Sequence, residues 1–236
     1  AGVAGLVTCI MLGKRKGYGS TAISPHSVPL VVVGASMLWV GWFGFNAGSQ
    51  LAADGTAGMA LLVTQVATAT AAFTWMVVEW LVAKKPTAVG IATGAVAGLV
   101  AITPASGYVG PMGAIAIGLG AGVLTFYAVR IRHKFGFDDA LEVMAVHGIG
   151  GIWGALATGI FIVGGIGLID GDAKVLGYNA VAVLSTIAYS FVVTFVILKI
   201  LDVIPGLGLR ADDAAEDAGL DVSLHGERAY VGDGAD

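Results

Sequence analysis

Two stretches decide the fold: ATGAVAGLVAI at residues 92–102 and GAIAIGLGAGVL at residues 113–124. Both are runs of apolar and small residues that contain glycine at short intervals and no charge. Glycine inside such a run lets membrane helices approach one another closely, whereas in a helix exposed to water it is only destabilising. These stretches therefore predict closely packed transmembrane helices.

The rest of the chain has a similar composition. Of its 236 residues, 57% are hydrophobic, 12% are charged and 37 are glycine, whereas soluble domains carry about 25% charged residues and about 7% glycine. The mean hydropathy is +0.88. This composition argues against a soluble enzyme, a disordered chain and a nucleic-acid binder. It predicts an all-α, polytopic membrane helix bundle.

Seven helices are predicted along the chain. The first apolar run, Ala1–Gly13, is shorter than the roughly 20 residues that a span needs, so we interpret the chain as a fragment that begins partway through a helix. The polar, acidic residues 204–236 predict a tail that follows a helix bundle over residues 1–203. The six predicted spans are Val28–Asn46, Met59–Ala83, Val89–Thr103, Met112–Arg130, Leu141–Val163 and Leu176–Leu201.

The distribution of positive charge predicts the orientation of these helices. Lysine and arginine are concentrated in cytoplasmic loops of membrane proteins. Here they lie in alternate connections, with one exception, Lys174, in the sixth. We therefore expect the first, third and fifth connections and the C-terminal tail to face the cytoplasm. The residues that carry this prediction are Lys14, Arg15, Lys16, Lys84, Lys85, Arg130, Arg132 and Lys134.

His147, in the sequence HGIGGIWG, is the most informative candidate site residue. Asp139 and Glu142 have the spacing of an N-terminal capping box, which would begin the helix there. His147 would then lie about 12 Å into the membrane at about 1.5 Å per residue, and an ionisable group at that depth is a candidate functional group by default. Asp139, Val143 and His147 would share one helix face, which Gly151 continues.

Two interpretations of His147 remain open from the sequence: a functional group, or a neutral histidine hydrogen-bonded to another helix. A metal site is not expected, because no cysteine, second histidine or acid shares its predicted depth. No cofactor is predicted either.

The second candidate cluster is GWFGFNAGS, residues 41–49. Trp42, Phe45 and Ser49 share a face if the helix continues through Asn46. Aromatic faces attract a small cation by about 0.5–2 kcal/mol, and a hydroxyl oxygen can accept its N–H, so the cluster suits a compact ammonium-like cation arriving from outside. The alternative is a belt of aromatic residues at the membrane interface.

Four segments together resemble the ammonium transporter family (Amt/Mep/Rh), on its bacterial and archaeal side. They are GWFGFNAGS at 41–49, KKPTAVGIATGAVAGLVAITPASGYVG at 84–110, DDALEVMAVHGIGGIWGALATGIF at 138–161 and GLDVSLHGERAY at 219–230. The resemblance implies an eleven-helix transporter with an inverted repeat, assembled as a homotrimer with a pore in each subunit. This chain would contain the end of the fifth helix, the sixth to eleventh helices and the cytoplasmic tail.

The resemblance also implies roles for individual residues. His147 is similar to the second histidine of a pair that lines the pore, and Val143 to a pore-wall residue beside it. Phe45 is similar to one of two phenylalanines that close the outer mouth, Ser49 to a hydroxyl that binds ammonium there, and Trp42 to a residue of the same motif.

Supporting roles are implied for a second set of residues. Asn46 belongs to the outer motif, whereas Lys85, Asp139 and Glu142 are similar to structural or regulatory positions, with glutamate at 142 where the family usually has aspartate. The tail is similar to a segment that couples subunits and helps to receive a PII-type signalling protein. The family's first pore histidine would precede Ala1.

The expected function is therefore ammonium transport across the cell membrane, with membrane lipid as the surroundings. Ammonium would bind outside, lose a proton and pass as ammonia through an apolar pore. The alternatives are an ammonia gas channel with little charge movement and an ammonium sensor, which a signalling domain after the tail would favour. An intramembrane hydrolase would need a nucleophile or metal cluster that the sequence does not display.

Overall fold

The computed structural model describes residues 1–228, and these residues form an all-helical bundle without a strand. The predicted tail is described only as far as residue 228, so its last eight residues, Ala229 among them, lie outside the described part. The helices are α1 (Gly2–Leu12), α2 (Val28–Gly48), α3 (Gly55–Ala83), α4 (Ala88–Ile102), α5 (Pro111–Phe135), α6 (Gly150–Phe161), α7 (Lys174–Val203) and α8 (Asp213–Ala218). A π-helical segment, Met144–Ile149, leads directly into α6.

Side-chain caps fix where α2, α3 and α4 begin. The Ser27 hydroxyl accepts from the N–H of the third residue after it at the start of α2, and the Thr87 hydroxyl does the same at the start of α4. The Asp54 carboxylate accepts from two backbone N–H groups, each at 3.0 Å, at the start of α3. Such caps satisfy donors that the first turn of a helix leaves unpaired. Asp54 therefore starts α3 four residues earlier than hydropathy alone predicts.

The predicted transmembrane architecture is confirmed in outline. Five helical stretches are long and apolar enough to cross a membrane, counting the π segment with α6 as one, and α1 and α4 are shorter apolar helices. The most apolar windows of α2 and α7 contain no buried residue. These two helices therefore present apolar surface on the outside of the bundle.

The core lies where α3, α4 and α5 pack together, and glycine makes their close approach possible. A Cβ atom on Gly98 would lie 2.7 Å from the carbonyl oxygen of Ala67, and one on Gly118 would lie 2.6 Å from the same oxygen. Both distances are too short for a side chain, so α4 and α5 pass on either side of Ala67 with almost no space between the backbones. This packing is the role that the opening stretches of sequence predict.

The tail returns to the beginning of the chain. The Arg210 guanidinium donates to the carbonyl oxygens of Leu12 and Lys14 at 3.1 and 2.7 Å, and it also binds both carboxylate oxygens of Glu216. The ammonium group of Lys16 lies 2.8 Å from a carboxylate oxygen of Asp217. These contacts dock α8 against the end of α1. We call them the tail clasp.

Candidate functional site

His147 lies on the π segment and contributes to the wall of a cavity of about 570 Å³. The cavity is bounded by the start of α1, by α6 and by α7, with Gly151, Ala155, Asn179 and Thr186 among its lining residues. The imidazole is half-buried, and within residues 1–228 it makes no hydrogen bond. In the described part of the chain, His147 therefore lacks the hydrogen bond to another helix that the alternative interpretation requires.

The predicted capping box at Asp139 and Glu142 is wrong. Glu142 lies in the left-handed region with φ 57°, which costs a side-chain-bearing residue about 1–2 kcal/mol. Its carboxylate pairs with the Arg132 guanidinium at the end of α5 rather than with the backbone of Asp139. The Asp139 carboxylate instead accepts from the N–H of Met144, five residues later, at 2.7 Å. The helix consequently begins at residue 143.

This later start also corrects the predicted helix face. Asp139 precedes the helix and cannot share a stripe with His147, although Gly151 does line the same cavity. Val143 packs its Cγ1 atom against Gly5 of α1 and is not among the residues that line the cavity. At about 1.5 Å per residue, His147 is about 6 Å from the helix start rather than 12 Å.

The aromatic cluster forms as its spacing predicts, because α2 continues to Gly48. The rings of Trp42 and Phe45 meet edge to face, with centroids 6.1 Å apart and planes inclined by 80°. Phe45 is 60% exposed. Ser49 donates its hydroxyl hydrogen to the Phe45 carbonyl oxygen at 2.6 Å, which leaves the lone pairs of the hydroxyl oxygen available as acceptors.

Trp42 is held more firmly than an interfacial belt residue. Its indole Nε1–H donates to the hydroxyl of Thr103, the residue directly after α4, at 2.7 Å. Its ring packs against the buried cluster of Ala97, Val100 and Val146. Because Val146 belongs to this cluster and directly precedes His147, the packing links the aromatic cluster to the π segment.

Two polar partners escaped the sequence analysis. Thr103 anchors Trp42, and Thr64 on α3 accepts from the buried Asn46 amide at 3.0 Å. Each contact joins residues on different helices, 61 and 18 positions apart. No local pattern in the sequence reveals which hydroxyl on another helix a tryptophan or an asparagine will meet.

Ion pairs join the loops at the end of the bundle opposite the aromatic cluster. The Asp138 carboxylate is 1% exposed and accepts from the backbone N–H, Nε and Nη2 of Arg15 at 2.6–3.1 Å. The Arg15 hydrogen bonds hold the pKa of Asp138 below its usual value, whereas burial raises the pKa of Glu142. Lys85 is exposed and makes no ion pair with residues 1–228.

Among the side chains that the structure describes, which exclude that of His133, no group of three histidine, cysteine, aspartate or glutamate residues could hold a metal ion. The arrangement provides instead an aromatic and hydroxyl cluster at one end, an isolated imidazole inside an apolar bundle and ion pairs at the other end. These groups can bind a small polar cation and exchange a proton with it.

Comparison with known proteins identifies related chains. The model of the Ammonium Transporter Family matches residues 1–230. An ammonium transporter of Bacillus subtilis is 47% identical over 98% of this chain, and Ammonium transporter Amt1 of Archaeoglobus fulgidus is 46% identical over 98%. The chain spans 58% and 59% of the length of these two relatives.

Solved structures agree with the sequence relatives. The crystal structure of Candida albicans Mep2 superimposes with a TM-score of 0.84 at 36% identity, covering 90% of this chain and 50% of that one. The structure of a protein described as Sensor Amt Protein superimposes with a TM-score of 0.85 at 33% identity, covering 94% of this chain and 56% of that one.

Proposed function

The chain belongs to the Ammonium Transporter Family, whose named relatives are transport proteins rather than enzymes, and on that premise we propose that it serves to move ammonium or ammonia across the cell membrane. The observation that carries the proposal is His147, a half-buried imidazole without a hydrogen-bond partner in residues 1–228, on the wall of a cavity inside an apolar bundle. An ionisable group in such surroundings is costly to place and is a functional candidate for that reason.

The aromatic cluster is the proposed outer binding site. A cation over the exposed face of Phe45 gains about 0.5–2 kcal/mol from the ring, and the free lone pairs of the Ser49 hydroxyl can accept one of its N–H groups. The hydrogen bond to Thr103 fixes the Trp42 indole beside Phe45, so little side-chain entropy is lost when the ion binds.

His147 would act deeper in the membrane. A bare ion in an apolar interior is disfavoured by many kcal/mol, so ammonium would lose a proton before it passes. A neutral imidazole can accept a hydrogen bond from ammonia at one ring nitrogen and donate one at the other. Potassium cannot lose a proton, which would give selectivity for ammonium.

The residues at the other end of the bundle are proposed to support this path. Asp139 begins the helix that carries His147, and Val143 packs that helix against α1. Glu142 holds it to α5 through Arg132. Lys85 and Asn46 remain proposals as regulatory and structural residues, respectively.

We further propose a cytoplasmic C-terminus, assembly as a homotrimer surrounded by lipid, and contact between the tail and a PII-type signalling protein. The apolar surfaces of α2 and α7 are consistent with contact to lipid or to other membrane helices. The positive charge in alternate connections supports the orientation.

The test is ammonium-evoked current in proteoliposomes that hold the natural polypeptide carrying this chain, with potassium as the control ion and His147→Ala as the variant. We expect an ammonium-specific current in the unmodified protein. The variant should either lose this current or also conduct potassium. If a pH-dye assay shows ammonia entry while no current flows, the protein conducts ammonia gas rather than transporting the ion. Silence in both assays would refute transport and leave the sensor.

A further inference from the structure

The backbones of α1 and the π segment come into close contact directly beside His147. A Cβ atom on Gly2 would overlap the backbone nitrogen and Cα of Gly148, and it would lie 3.1 Å from the carbonyl carbon of His147. Backbone atoms cannot rotate out of the way as a side chain can. Glycine at position 2 is therefore required for this approach, and the contact fixes the peptide that follows the His147 side chain.

The π turn encloses the same contact from the other side. The sulfur of Met144 lies 2.6 Å from the place that a Cβ on Gly148 would occupy, and the Cα of Gly2 lies 3.6 Å from it. Gly148 is thus enclosed by Met144 of its own helix and by Gly2 of α1. A π-helical turn contains an additional residue compared with an α-helical turn, and such turns occur frequently at functional sites.

The additional residue decides which way His147 faces. Upstream, Val143 is anchored on Gly5 of α1, whereas downstream Gly151 and Ala155 lie along the cavity together with His147. One residue in an α-helix corresponds to a rotation of about 100°. If the π turn relaxed to an α-turn while Val143 kept its contact, the face that carries His147 would turn by up to about 100° away from the cavity.

We infer that the backbone contact between Gly2 and Gly148, together with the π turn that it closes, is the positioning device that keeps the His147 imidazole in the cavity. The inference rests on the proposed transport function. Gly2, Met144 and Gly148 are positioning residues here, because they act on His147 and touch no substrate themselves.

The contact predicts that Gly2→Ala is far more damaging than a glycine substitution in open space. Gly2→Ala forces backbone against backbone, so the ratio of ammonium current to potassium current should fall about tenfold to a hundredfold, as a misplacement of about 1 Å commonly does at a reactive group. Currents are normalised to the amount of inserted protein.

Gly34→Ala on α2 serves as the matched control, because its Cβ meets nothing within 4 Å. It should keep the current ratio within about twofold, and it should keep the dependence of current on pH between about pH 5 and pH 8, the range in which a histidine titrates. A merely structural role for Gly2 would lower the amount of inserted protein and leave both of these properties unchanged.

If Gly2→Ala does not accumulate in the membrane, Met144→Ala tests the same device by emptying the space beside Gly148. We expect Met144→Ala to change the current ratio. Met144→Leu nearly conserves the side-chain volume and should keep the original ratio. An unchanged ratio in Met144→Ala, or in an inserted Gly2→Ala, overturns the inference while the unmodified protein still transports. A silent unmodified protein overturns the proposed function instead.

Discussion

Asp138→Asn should destabilise the folded protein by about 2–3 kcal/mol. The Asp138 carboxylate is 1% exposed and accepts from three donors of Arg15. Asparagine keeps one of the two acceptor oxygens and turns an amide N–H₂ toward the guanidinium, so about two charge-assisted hydrogen bonds are lost, each contributing about 1.5–3 kcal/mol. The Arg15 side chain is 45% exposed, and water that solvates it in the variant reduces the sum to the stated value.

The assay is equilibrium unfolding of the purified protein in mixed micelles, followed by tryptophan fluorescence. Asp202→Asn is the matched control, because Asp202 and Lys199 form an exposed pair at 3.8 Å whose loss should cost less than about 0.5 kcal/mol. Equal effects of the two substitutions would refute the claim that burial makes the Arg15–Asp138 pair important.

The same pair predicts how the effect depends on pH. Because the Arg15 hydrogen bonds lower the pKa of Asp138 in the folded state, its stabilising contribution is complete above the unfolded value of about 3.9 and is lost as the pH falls through the lower folded value. The difference between the original protein and Asp138→Asn should therefore be constant from neutral pH down to about pH 5 and shrink below about pH 4. A difference that grows on acidification would contradict the assignment.

Three further predictions concern the aromatic cluster, the core and the tail. Trp42→Phe removes the hydrogen bond to Thr103 but keeps a ring, so half-saturation for ammonium current should rise about threefold to tenfold, corresponding to about 1 kcal/mol, and Thr103→Val should reproduce the change. Asn46→Ala removes the hydrogen bond from the buried amide to the Thr64 hydroxyl, which keeps its own bond to the Ala60 carbonyl oxygen, and should cost about 0.5–1.5 kcal/mol in the unfolding assay, with Thr64→Ala in the same background adding little. Arg210→Ala should release the tail, measured as faster proteolysis, and Arg210→Lys should not restore it because lysine lacks the planar fork.

The sequence analysis predicts the transmembrane helices well because hydropathy and charge act over many residues at once. Each of the predicted spans corresponds to an observed helix, and the end of the third predicted span at Thr103 differs from α4 by one residue. The start of α3 is missed because Asp54 caps it from outside the apolar run. Hydropathy identifies the residues that avoid water, whereas the start of a helix depends on which side chain accepts hydrogen bonds from the first backbone N–H groups.

The start of the fifth predicted span, Leu141–Val163, is the instructive error. The spacing of Asp139 and Glu142 fits a capping box, but Arg132 at the end of α5 captures the glutamate, and a guanidinium partner is stronger than a backbone N–H. No local pattern in the sequence predicts the π segment, whose Gly148 meets the backbone of a distant glycine, Gly2. The candidate residues themselves are found from the sequence, whereas their partners depend on how the helices pack.

The tail clasp also restricts how many times the chain between its two ends can cross the membrane. Arg210 binds the end of α1 directly, so both ends of the intervening chain lie on one side of the membrane, and the number of passes between them must be even. Six helical passes, α2 to α7 with the π segment joined to α6, would satisfy that parity, whereas the five stretches that are long enough to span would not. The 15-residue α4 is the pass most easily skipped. A chain that skipped α4 alone would leave Arg210 and its docking site on opposite sides of the membrane, so the clasp could not form.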